Sequence, residues 1–220
     1  MAASDDGRSH DPSLGPGSDG AVLLALLLRG ALGAEDLASA SGTMPADVTC
    51  AVDRLQAEHL VGVEARPAGS AFTLTALGRE RAVSVLAQEA ASLRPLIEPR
   101  YGEFAALNRR VKATLHRWQV RHRRGLDELN DHRDARYDGQ VLAELRATHA
   151  AADAWLAPLA AVRARYASLR DRLATMVARA LSGDKAAVAG VTADSFHLAW
   201  WQLHADLLQV LGRERGPDDV

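Results

Sequence analysis

The sequence holds a single cysteine, Cys50, in 220 residues. No internal disulfide is possible, so the fold has to rest on apolar burial, and a reducing compartment, the cytoplasm, is the expected location. An uninterrupted apolar run of about 18 residues is also missing, and the most apolar segment, Ala21 to Leu28, is too short to cross a bilayer. No membrane partner is therefore expected. Nor does charge of one sign dominate. Lys and Arg number 26 against 28 Asp and Glu, a net charge of -2, which excludes a global attraction to nucleic acid or anionic lipid and leaves only local patches. There is no glycine-rich phosphate loop, no GxSxG elbow and no HExxH pair, and Cys50 lies away from any obvious base. The expectation is a protein that is not an enzyme, with no catalytic residue, cofactor or metal.

What is present is apolar material in ordered patterns: 48% of the residues are hydrophobic, enough for proper cores. Residues 1–19 are rich in Asp, Ser, Gly and Pro and are expected to form a disordered leader. From Ala21 the chain turns apolar almost all round, which suits a buried helix ended by Gly30 and Gly33. A short helix from Glu35 to Ala40 follows, then a Ser41-Gly42 turn. A third helix starts at Pro45, whose missing N–H costs nothing in a first turn, and keeps Val48, Ala51, Val52 and Leu55 on one face. Alternation then marks two strands, with Val61, Val63 and Ala65 on one side, a Pro67-Ala68-Gly69-Ser70 turn, and Phe72 and Leu74 on the return. Thr75 is positioned to cap a helix that runs to about Leu93, before Pro95.

This order, with the Ala34-Glu35-Asp36-Leu37-Ala38 helix, the Ser41-Gly42 turn and the Leu74-Thr75-Ala76-Leu77-Gly78-Arg79 exit, resembles the winged helix-turn-helix module of MarR-type bacterial transcriptional regulators. The resemblance covers about the first third of the folded chain. It implies a homodimer on double-stranded DNA, with the third helix in the major groove and the wing on the backbone. On that reading the DNA-facing residues are Thr43, Ala46, Asp47, Thr49, Cys50, Arg54, Arg66 and Arg79. The residues themselves complicate it, because Asp47 and Asp53 sit where phosphates approach, with only Arg54 to offset them.

Beyond Arg94 the charge reverses. Arg109, Arg110, Lys112, Arg117, Arg121, Arg123 and Arg124 follow the apolar stripe Phe104, Leu107, Val111, Leu115 and Trp118. This is an amphipathic helix whose cationic face is a solvated surface, a phosphate contact or the wall of an anionic effector pocket. Gly125 to Gly139 breaks the pattern around Asn130, Asp131, His132, Asp134, Tyr137 and Asp138. The cluster suits a capped turn, with Asp134 or Asp138 opening the next helix, or the lining of a polar site. A metal at Asp131, His132 and Asp138 lacks the spacing of a known ligand set.

Three helices complete the chain: Val141 to about Leu156, bounded by Pro158; Leu159 to Leu181; and Ser195 to Leu211, which Thr192 or Asp194 is placed to cap. In the last, Phe196, Trp200, Leu203, Leu207 and Val210 form one stripe, with His197, Trp201 and His204 at its edge. Seven residues set the two histidines about 10.5 Å apart along the axis, too far to share a zinc ion. Core packing, a ligand pocket and a dimer interface all fit these residue types. The residues expected to meet a small-molecule effector are Trp118, Arg121, Asn130, His132, Tyr137, His197, Trp200, Trp201 and His204. Segments such as Trp118-Gln119-Val120-Arg121 and Leu203-His204-Ala205-Asp206 resemble the helical half of actinobacterial-type winged-helix regulators, which implies a sensing role without naming a ligand.

The sequence thus predicts a mainly α protein: a winged helix-turn-helix over residues 20–93, an antiparallel helical bundle over 94–213 for dimerisation or effector binding, and a disordered tail over 214–220. The expected function is a DNA-binding transcriptional regulator. The alternative is a winged-helix module that binds and regulates a partner enzyme and does not touch DNA.

Overall fold

In a computed structural model, the described residues are 17–66, 69–123, 125–190, 194–214 and 216. The expected leader and tail fall mostly outside them. The chain is mainly helical. Helix α1 (Ser18–Arg29) starts two residues before the expected boundary at residue 20 and buries Val22 to Leu26. Helices α2 (Ala34–Ser41) and α3 (Pro45–Ala57) are joined by a turn through Gly42, whose φ of 66° is left-handed. A Cβ on Gly42 would lie 2.7 Å from the Ala164 backbone, so glycine is required there for space as well as for conformation.

Strands β1 (Val61–Arg66) and β2 (Gly69–Leu74) pair antiparallel from Val61 opposite Leu74 to Arg66 opposite Gly69. The turn residues Pro67 and Ala68 lie outside the described set. Val61 is buried, but Val63 and Ala65, expected on the same side of the strand, are exposed. On the return strand Ala71 is buried and Phe72 pairs with Leu32, so the hairpin packs through β2, while β1 beyond Gly62 is exposed and its alternation persists without burial.

Helix α4 (Ala76–Ile97) is capped by Thr75, whose hydroxyl accepts from the Gly78 N–H at 3.0 Å. It passes Pro95 instead of stopping before it. Helix α6 (Ala135–Val162) likewise runs through Pro158, the residue expected to bound it. An internal proline strands the carbonyl four residues earlier. Here those residues, Ala91 and Ala154, are exposed, so water solvates the freed oxygens.

After a short 3-10 turn (Glu98–Arg100) comes α5 (Tyr101–Gln119). A second hairpin follows where only a break and a polar loop were expected: β3 (Val120–Arg123) and β4 (Leu126–Leu129), with Val120 opposite Leu129. Helices α7 (Ala164–Leu181), α8 (Ala186–Ala189) and α9 (Phe196–Leu211) close the chain. Thr192 lies outside the described residues, and Asp194 does not cap α9. Ser195 does, accepting from the Leu198 N–H, while Asp194 pairs with Arg172.

Buried apolar side chains gather in two clusters. The first joins Val22, Leu37, Val48, Val52, Leu55, Val61 and Ala82. The second joins Leu93, Ile97, Phe104, Trp155, Tyr166, Phe196, Trp200 and Leu207. Helix α4 takes part in both, through Ala82 near its start and through Ala90, Leu93 and Ile97 near its end. The α2–α3 turn also packs on the start of α7, where the Ser168 hydroxyl donates to the Ser39 carbonyl.

Candidate functional site

Helix α3 turns Val48, Ala51, Val52 and Leu55 inward, which leaves Ala46, Asp47, Thr49, Cys50, Asp53 and Arg54 exposed. Thr43, in the preceding turn, is half-buried and donates its N–H to the Ala38 carbonyl. Thr49 turns its hydroxyl back onto the Pro45 carbonyl at 3.1 Å. Arg54 is engaged by Asp19 of α1 through two hydrogen bonds, of 2.5 and 3.2 Å. Arg66 leans on Glu64 of its own strand at 3.4 Å, and Arg79 is exposed at the start of α4. The outer face of α3 is therefore acidic: its one cation is compensated, while Asp47 and Asp53 are open to solvent.

Behind α3 lies a network of buried charges. Glu89 of α4 meets Arg163, at the α6–α7 junction, with Nε to Oε1 at 2.8 Å, and Arg165 of α7. Arg165 in turn meets Asp206 of α9 with Nε to Oδ2 at 2.8 Å and Nη2 to Oδ1 at 3.2 Å. All four residues are buried. Burial alone would lower the Arg165 pKa, but Asp206, the neighbouring Tyr166 and Glu89 outweigh it and hold it well above the ordinary value. Asp47 and Thr43 line a cleft of about 310 Å³ that ends on Glu89, Arg163 and Arg165.

The residues expected to meet an effector separate into two groups. Trp118, Arg121, Asn130, His132 and Tyr137 knit the second hairpin to the start of α6. Asn130 donates its amide to the Trp118 carbonyl at 3.0 Å and to Asp138 Oδ1 at 2.9 Å. His132 Nδ1 lies 3.1 Å from Asp138 Oδ2 and 3.1 Å from the Asn130 amide nitrogen, and its ring packs tilted against Trp118 at 4.4 Å between centroids. Arg121 spans the Tyr137 ring at 4.1 Å and donates to Asp134 at 2.8 Å, while Asp134 caps α6 through the Tyr137 N–H. The Tyr137 N–H and then Arg121 hold the Asp134 pKa below the usual carboxylate range. These contacts fit a folded capping knot. Among the described residues, no group of three or more His, Cys, Asp or Glu is placed to hold a metal ion.

His197, Trp200, Trp201 and His204 line one wall of a cavity of about 350 Å³ between α9 and α5. Trp200 is its fixed floor, stacked on Phe104 at 5.3 Å and donating Nε1 to Asn108 Oδ1 at 2.9 Å. His204 is buried against Phe104, with its Nε2 at 3.3 Å from the Tyr101 hydroxyl. Trp201 is 48% exposed, and His197 carries a buried Nδ1 with no hydrogen-bond partner. The opposite wall comes from α5: Asn108, Val111, Lys112, Leu115, His116 and Gln119. Val111 and Leu115 belong to the apolar stripe and Lys112 to the cationic face read from the sequence, whereas Asn108, His116 and Gln119 were not singled out. Among the described residues no carboxylate lines this cavity.

Comparison with protein-family models, curated proteins and solved structures gives no match.

Proposed function

We propose that the chain is a DNA-binding transcriptional regulator acting as a homodimer. On this reading α1 to α4 and the first hairpin form a winged helix-turn-helix, and the later helices form a bundle that carries an effector cavity. One observation carries it: α3 keeps one apolar face buried and the other, Ala46, Asp47, Thr49 and Cys50, exposed beside a hairpin whose outer strand residues Val63 to Arg66 are exposed. That is the geometry by which a helix enters a major groove while a wing meets the backbone. Affinity would come from phosphate contacts of the exposed Arg66, Arg79 and Arg81 rather than from α3. Three contacts in each of two protomers give a slope of log K against log salt of about -5. Fluorescence anisotropy of a labelled random duplex over a salt series tests this. The expected result is binding with that slope, and no binding at about 50 mM salt overturns it.

The cavity between α5 and α9 supports an effector role. Its apolar floor and convergent polar groups suit a small organic molecule. A ligand found by thermal-shift screening should lose its effect in His197→Leu and Trp201→Ala.

A second reading is favoured by the open Asp47 and Asp53 and by the engagement of Arg54 with Asp19. In it, the same acidic face docks onto a basic protein partner and DNA is not bound. The salt series separates the two readings.

A further inference from the structure

Where α1 meets α7 and α9, three guanidinium groups border one small cavity of about 30 Å³: Arg29, the last residue of α1, and Arg165 and Arg172 of α7. Arg29 Nε is buried there and has no hydrogen-bond partner. The other charged groups on the walls are committed. Asp206 gives both its oxygens to Arg165, and Arg172 is bound by Asp194 and by the Gln202 side-chain oxygen. The Ser168 hydroxyl is spent on the Ser39 carbonyl. With its oxygen turned to Arg172, Gln202 is left with its amide N–H groups as donors beside Arg29. Burial first, and then the like charge of Arg172, lowers the Arg29 pKa; Asp36 and Asp194 act in the opposite sense without bonding it.

A buried, unbonded cationic donor beside a second cation needs an acceptor that also carries negative charge. Water would satisfy the hydrogen bond and leave the repulsion. We propose that this cavity binds one small inorganic anion of chloride size, held by Arg29, Arg172 and the Gln202 amide. It would join α1 to the helices behind it. Size suits the class: a water-sized particle needs roughly 10–15 Å³ of such space, so about 30 Å³ accepts a halide. The proposal stands whether or not the protein binds DNA.

The test compares melting temperatures of the full chain in potassium chloride, gluconate and sulfate at equal ionic strength, for the wild type and Arg29→Met. Chloride at about ten times its dissociation constant should raise the wild-type midpoint by roughly 3–6 °C over gluconate. The variant should show no chloride-specific rise. Sulfate should give both proteins only the general stabilisation of an excluded salt. Chlorine NMR provides a second readout that does not depend on the variant folding: the folded wild type should broaden the chloride line, and bromide but not sulfate should reverse the broadening. Equal chloride dependence in both proteins, or no broadening by the wild type, would overturn the site.

Discussion

The buried network of Glu89, Arg163, Arg165 and Asp206 balances two carboxylates against two guanidiniums, so Asp206→Asn unbalances it by one charge in a nearly isosteric way. Arg165 is then left to share Glu89 with Arg163, and of the bonds of 2.8 and 3.2 Å that Asp206 accepts, one is replaced by an amide NH2 facing the guanidinium. Removing one partner of a buried pair costs about 3–5 kcal/mol, because the remaining charge stays desolvated. For a chain of this length that is a fall in midpoint of roughly 6–20 °C. The double variant Arg165→Met/Asp206→Leu removes a whole pair and leaves Glu89 matched to Arg163, 2.8 Å away. It should recover most of the loss. Urea unfolding followed by circular dichroism measures both, provided the slope with denaturant is unchanged. If Asp206→Asn costs less than about 1 kcal/mol, or the double variant is worse than the single, the charges are not acting as a closed set.

Three other substitutions follow from the same geometry. Gly42→Ala should cost about 2–3 kcal/mol in urea unfolding, since a left-handed φ and a backbone clash on Ala164 both resist a Cβ. Trp200→Ala should destabilise by about 3–5 kcal/mol, because the ring is buried and stacked between Phe104 and Phe196; Trp201→Ala, at a half-exposed position, should change stability little and is the cleaner probe of ligand binding. Burial depresses the His149 pKa below its ordinary value; Asp153 opposes it, and Arg170 adds a lesser effect in the direction of burial. The unfolded chain therefore takes up the proton first, so stability is full above the unfolded pKa of about 6.5 and declines as pH falls below it. The urea midpoint should hold above about pH 6.5 and drop as pH falls below it, and His149→Leu should flatten that part of the profile.

Sequence periodicity was most informative where one face of a helix is buried. The α3 stripe and the α9 stripe from Phe196 to Val210 are buried as their spacing implies. Pro95 and Pro158 misled because the cost of an internal proline depends on whether the freed carbonyl reaches water, which is a tertiary property. The second hairpin left no mark because its strands are four residues long and β4 is exposed throughout. At the cavity, the α9 residues were recognisable from their aromatic and imidazole content. The facing residues of α5 were less so: Lys112 belonged to a cationic face open to three readings, and Asn108, His116 and Gln119 carry no signal until α9 is packed beside them. The charge network was least legible, since Glu89, Arg163, Arg165 and Asp206 come from distant parts of the chain and each alone looks like an ordinary surface residue.

All four tryptophans, Trp118, Trp155, Trp200 and Trp201, belong to the helices after α4. Intrinsic fluorescence is therefore blind to melting of the first apolar cluster, whereas far-ultraviolet circular dichroism sees both. The gap between the two unfolding curves becomes a direct gauge of cooperativity between the halves. Superimposed curves in the wild type and separated curves in Asp206→Asn would identify α4 and its buried charges as the element that makes the molecule unfold as one unit.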